Sequence, residues 1–129
     1  MRQEMMQRLL KEARGALRVA VAPYSGFRVG AAIITKRGRV YRGCNLENPS
    51  LMLSMCAEKV AISKALSEGE RSFNAIAIVS DKGHLCYPCG SCRQLLWEFA
   101  GDIDVLLEGD GGIKRYRLSE LMPYPFKKD

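Results

Sequence analysis

The sequence predicts an α/β domain with a sheet of about five strands held between helical layers. Three observations carry this. Segments with helical and strand periodicity alternate along the chain. The run Ala75-Ile76-Ala77-Ile78-Val79 is apolar throughout, as in a strand covered on both faces. The 129 residues show no repeat, linker or low-complexity segment, so residues 1–129 are expected to form a single domain.

The elements follow in order. Apolar residues at positions 5, 6, 9, 10, 13, 16, 17 and 20 recur at helical spacing, predicting an amphipathic helix over the first twenty residues, ended by Pro23. Residues 27–35 and 39–42 flank a Lys-Arg-Gly turn and read as a β-hairpin. A loop over 43–49 leads to a second helix from about Ser54, its expected N-cap, to about Glu68, with Gly69 as its stop. The strand at 75–79 gives way to a polar loop from Ser80 to His84. Residues 91–99 form a third helix closed by Gly101, and strands 103–107 and 113–118 surround the turn at 109–112. A short tail, residues 122–126, completes the chain.

Composition narrows the function only partly. Hydrophobic residues make up 47% and charged residues 26%, ordinary values for a globular protein, and no apolar run reaches membrane-spanning length. The amino terminus mixes charges and lacks an apolar signal core, so no export is expected. Five cysteines, an odd number, favour a reducing cytoplasm and metal ligation over disulfides. The net charge of +6 does not by itself imply nucleic acid, because the 20 Lys and Arg are scattered. The densest run, Lys36 to Arg39, fits a solvated hairpin turn.

The informative residues are Cys56-Ala57-Glu58 and Pro88-Cys89-Gly90-Ser91-Cys92-Arg93-Gln94. Three thiolates suffice to hold a zinc ion and leave its fourth corner for water. A carboxylate two residues from one ligand is placed to move protons there. Both Cys56 and Cys89 are expected at helix mouths, where free N–H groups and the helix dipole favour thiolates. Lys59 and Arg93 are candidates to offset the negative charge of three thiolates; ordinary surface charge is the alternative for both. Cys89-x-x-Cys92 alone would equally suit a redox pair or a structural zinc knuckle. Cys86 leaves two further alternatives open, part of an iron–sulfur pattern or a closed four-cysteine zinc module without catalysis. Otherwise Cys44 and Cys86 are small half-buried thiols, and His84 is expected in an exposed loop.

Taken together, these motifs resemble the small zinc-dependent, three-cysteine cytidine deaminases of nucleoside salvage. The resemblance rests on Pro23-Tyr24-Ser25-x-Phe27-x-Val29-Gly30-Ala31-Ala32, Gly43-Cys44-Asn45-x-Glu47-Asn48, Cys56-Ala57-Glu58, Pro88 to Gln94, and Leu121-x-Pro123-x-x-Phe126. It implies a three-layer α/β/α sandwich with a central mixed sheet, and one Zn²⁺ per subunit on Cys56, Cys89 and Cys92. Glu58 is then the proton shuttle, and Asn45 and Glu47 bind the sugar hydroxyls. Phe27 stacks on the pyrimidine, the backbone of Ala57 and Pro88 meets the base edge, and Phe126 arrives from a neighbouring subunit of a homotetramer. The implied reaction is hydrolytic deamination of cytidine and 2′-deoxycytidine. Related alternatives are a deaminase acting on nucleic acid or on a nucleoside antibiotic. Lys59 stands where this family usually has Arg, and Pro49-Ser50-Leu51-Met52 replaces its usual Ala-Ser/Cys-Tyr.

Overall fold

The computed structural model describes residues 1–128. The chain runs α1 (Gln3–Leu17), β1 (Val29–Thr35), β2 (Val40–Cys44), a 3-10 turn (Leu51–Leu53), α2 (Ala57–Ser67), β3 (Phe73–Ser80), α3 (Gly90–Ala100), β4 (Asp104–Gly109), β5 (Gly112–Arg117) and α4 (Leu118–Leu121). One mixed sheet has the order β2-β1-β3-β4-β5. Among the strands of the described residues only β3 and β4 pair in parallel, with Ile78 opposite Leu107, and α3 makes the crossover between them.

Alternation along the central strands divides the core in two. Ala32, Ile34, Ala75, Ala77, Val79 and Leu106 pack against Leu9, Leu10 and Ala13 of α1. Ala31, Ile33, Ile76, Ile78, Val105 and Leu107 face α2, α3 and α4 through Ala61, Ile62, Leu96 and Leu118. Strand β1 is buried along its whole length, which fits its uninterrupted apolar sequence. Each fully buried Leu or Ile in these layers stabilises the fold by roughly 1.5–3 kcal/mol. The three-layer α/β/α arrangement is therefore the one expected.

Two glycines let helices approach the sheet. A Cβ at Gly30 would lie 2.1 Å from the Ala13 carbonyl oxygen of α1. One at Gly43 would lie 2.3 Å from the Ala57 carbonyl oxygen and 2.5 Å from the Ala61 amide of α2. Neither backbone has room to give, so both helices sit where only glycine permits.

Several boundaries differ from expectation, for long-range reasons. Helix α1 stops at Leu17, not at Pro23, because Val21 is taken into a bridge with Leu46: its N–H donates to the Asn45 carbonyl, and its carbonyl accepts from the Glu47 N–H. Ser54 does not cap α2. Leu46 and Met55 exchange both backbone hydrogen bonds at 2.9 Å, which keeps residue 55 extended and delays the helix, so Cys56 becomes its N-cap. The Ser54 hydroxyl accepts instead from the Asn48 N–H. Leu118, expected at the end of a strand, opens the short α4, and the Leu51–Leu53 turn has no counterpart in the sequence reading.

The register fixes where a site forms. Val29 lies opposite Ser80, and Gly30 opposite both Cys44 and Val79. The start of β1 and the ends of β2 and β3 thus share one edge of the sheet. Phe27, Asn45, Glu47 and the loop carrying Cys89 are delivered to that edge together.

Candidate functional site

The three motif cysteines converge. Cys56 is the N-cap of α2, Cys89 is the N-cap of α3, and Cys92 lies one turn into α3. Their three Sγ atoms all lie within 4.8 Å of one another. No side chain caps either helix, so the first N–H groups of both are left without a side-chain partner and the helix dipoles favour negative charge at the sulfurs beside them. Cys86 is not a member of this cluster, which leaves three sulfur donors rather than four.

The electrostatics of the cluster suit a cation. The Cys56 thiol is lowered to about 6, first by a hydrogen bond from the Cys92 thiol, then by one from Cys89 and by the charge of Lys59. Cys92 is pushed strongly upward by that same hydrogen bond and by burial. The group therefore shares protons when nothing else neutralises it, and a metal ion takes their place. Three soft thiol donors, two of them lining a cavity, fit one zinc ion.

Glu58 completes this end. It lies in the first turn of α2, is buried to 4% exposure, and lines the cavity beside Cys56 and Cys89. Burial raises its carboxyl to about 7, opposed by a hydrogen bond from its own backbone N–H and reinforced by the charge of Cys56. A carboxyl of this kind exchanges protons near neutrality.

The cavity has a volume of about 460 Å³. Phe27, Asn45, Glu47, Ala57 and Glu58 all line it, together with Cys56 and Cys89. Asn45 clasps the segment entering β1 at two points: its Nδ2 donates to the Phe27 carbonyl at 2.8 Å, and its Oδ1 accepts from the Val29 N–H at 2.9 Å. One Nδ2 hydrogen remains for a ligand. The Ser25 hydroxyl and the N–H groups of Ser25 and Tyr24 donate to Glu47, which holds its carboxyl below the usual range. Glu47 is thus an ionised acceptor fixed in place.

Four further expected residues lie outside the cavity lining. Pro88 is buried outside the cavity lining, and its carbonyl accepts from Arg93 Nε at 2.7 Å. Arg93 directs its guanidinium to the carbonyls of Pro88 and Leu121, not to the thiols, and so ties the metal loop to α4. Lys59 is exposed but acts on Cys56 through its charge. Phe126 is 67% exposed and does not line the cavity of its own chain; its carbonyl accepts from Gln94 Nε2 at 3.2 Å.

Other residues border the site with no role there that the sequence assigns, Cys86 as an alternative ligand excepted. His84 stacks on Phe27, with ring centroids 5.7 Å apart and planes 9° from parallel. Cys86, Tyr87, Leu51 and Met55 also line the cavity. Adjacency to Pro88-Cys89 is the one local signal that could have marked Cys86 and Tyr87. Nothing local marks His84, which loop closure brings to Phe27.

Comparison with known proteins gives the same constellation a family. The model of the cytidine and deoxycytidylate deaminase zinc-binding region matches residues 2–106. The chain belongs to that family. It is similar to a cytidine deaminase of Halalkalibacterium halodurans, 47% identical over 122 residues covering 93% of this chain and 92% of the relative. A crystal structure of cytidine deaminase from Burkholderia pseudomallei superposes with a TM-score of 0.90 at 38% identity, covering 98% of this chain and all of the other. A more divergent relative, the blasticidin-S deaminase of Bacillus cereus, is 34% identical over 109 residues, with 78% of each chain covered. Membership agrees with the zinc fit of the Cys56, Cys89 and Cys92 sulfurs.

Proposed function

We propose that this protein is a zinc-dependent hydrolase converting cytidine and 2′-deoxycytidine to uridine and 2′-deoxyuridine, with release of ammonia. The observation that carries this reading is one cavity with two chemically distinct ends. At one, Glu58 adjoins the Cys56–Cys89–Cys92 cluster; at the other, Asn45 and Glu47 offer a donor and an ionised acceptor to sugar hydroxyls. Phe27, fixed by Asn45 and backed by His84, presents a ring face to a pyrimidine between them.

When bound, zinc supplies Lewis acidity that brings the pKa of water toward neutrality. Glu58, with a carboxyl near 7, carries a proton to ring N3 and later to the departing amine. Overall one water is consumed, the C4–N4 bond breaks and a C4 carbonyl forms. The Ala57 N–H, at the start of α2, is placed to meet the base edge. Arg93 holds the loop that bears Cys89, and Lys59 offsets thiolate charge.

The working form is a homotetramer with shared active sites. Leu51, at 81% exposure, lines the cavity and sits in a turn with the exposed Met52 and Leu53, an apolar rim suited to cover by another subunit. Phe126 lies outside its own cavity and serves a neighbour's. Free thiols suit a reducing cytoplasm and a role in pyrimidine salvage. No helix among the described residues is long and apolar enough to cross a membrane.

The test is ammonia release from cytidine, 2′-deoxycytidine, blasticidin S and a cytosine-containing RNA oligonucleotide, each with and without a chelator. Chelator-sensitive turnover of the two nucleosides, little affected by salt, is expected. A preference for the oligonucleotide, falling steeply as salt rises, would overturn the nucleoside assignment.

A further inference from the structure

We infer that Cys86 and Tyr87 form the wall that faces C5 of the pyrimidine, and that they set which 5-substituted cytidines the protein accepts. The inference rests on the proposed deamination. Three contacts orient the base: C4 toward the sulfur cluster, N3 toward Glu58, and the N1-linked sugar toward Asn45 and Glu47. In a planar six-membered ring C4 is flanked by N3 and C5, so C5 turns to the wall that α2 does not supply. Phe27 and Val29, at the start of β1, take a ring face, and Leu51, Ser54 and Met55 form the rim, which leaves the segment preceding Cys89. From that segment Cys86 and Tyr87 line the cavity.

The wall is tethered at several points, although Tyr87 is 41% exposed. Cys86 is half-buried and packs against the core beneath α2 and α3. The Tyr87 hydroxyl lies 2.7 Å from that of Tyr116 on β5, with ring centroids 5.6 Å apart and planes tilted by 57°. Next in the chain, the Pro88 carbonyl is fixed by Arg93. A braced apolar wall discriminates by size: one methyl more or less in such a pocket changes kcat/KM about tenfold or more. Tyr116, which does not line the cavity, is a positioning residue for Tyr87.

The experiment measures kcat/KM for 5-methylcytidine and for cytidine, and takes their ratio, in the parent protein and in Cys86→Ala, Cys86→Ile and Tyr116→Phe. Zinc content and melting temperature are recorded for each, to verify folding. Cys86→Ala should raise the ratio about tenfold and Cys86→Ile should lower it by a similar factor. Tyr116→Phe, by loosening Tyr87, should raise it by a smaller factor. Ratios for both Cys86 variants that stay within about twofold of the parent, or that move in the same direction, overturn the inference. Failure of the parent protein to deaminate cytidine at all would instead bring down the proposed function, and this inference with it.

Discussion

Two glutamates at opposite ends of α2 are equally buried, each 4% exposed, yet their surroundings do opposite things to them. Glu70, just beyond the carboxyl end, accepts two hydrogen bonds at 3.0 Å from Arg37 and one at 2.8 Å from the Tyr41 hydroxyl. The Tyr41 bond and the Arg37 charge hold its carboxyl below the usual range. Glu58, in the first turn, has no cation paired with it among the described residues, and burial raises it to about 7. A buried carboxylate with a full set of partners is a clip; one left ready to take a proton is a tool. Here the clip joins the β1–β2 turn to the α2–β3 connection, while the tool faces the cavity.

The contrast is testable by exchanging each carboxylate for its amide. Glu58→Gln should cost on the order of 10²–10⁴-fold in turnover with zinc content unchanged, measured by ammonia release and metal analysis. Near-parental turnover would remove Glu58 from the chemistry. Cys89→Ala comes next: zinc retention should fall, activity with it, and the melting temperature should drop because the bound ion stabilises only the folded chain. A variant that kept its zinc would show that Cys89 is dispensable as a ligand.

Asn45 sharpens the comparison because it is both partnered and exposed to the cavity. Asn45→Ala should raise KM for cytidine about tenfold and also lower the melting temperature, since the Phe27 carbonyl and Val29 N–H lose their partner. A fall in melting temperature without a change in KM would make it structural alone.

Glu70→Gln should have the smallest effect, a loss of a few degrees in melting temperature at neutral pH with turnover unchanged. The sign of its pH dependence is fixed. A carboxyl held below its ordinary value, 4.5, contributes stability that is complete above that value and disappears as pH falls through the lower folded-state value. The gap between parent and Glu70→Gln should therefore close in acid. A gap that widens there would contradict the ion pair.

The same division governs what the sequence discloses. Cys56, Glu58, Cys89 and Cys92 are legible because two helix starts bring them together through short spacings, and helix mouths have local signatures. The order of helices and strands is legible through periodicity. The N-cap expected at Ser54 is displaced by the Leu46–Met55 bridge, which pairs residues nine apart in a loop with no periodic pattern. The tie from Arg93 to the Leu121 carbonyl leaves no local trace, because its partner lies 28 residues away. The Phe27–His84 stack joins two loops separated in the chain by β1, β2, α2 and β3, a contact only the sheet register determines.

Gly43 has a wider consequence. Its missing side chain seats the first two turns of α2 on β2, and those turns carry Cys56 and Glu58 as one block. Even a methyl group behind that block would push Cys56 and Glu58 outward together. The alignment of the proposed ligand and proton carrier is thus set from the rear of the cavity by an absence of atoms, and Gly43→Ala should lower turnover although it changes no residue of the cavity lining.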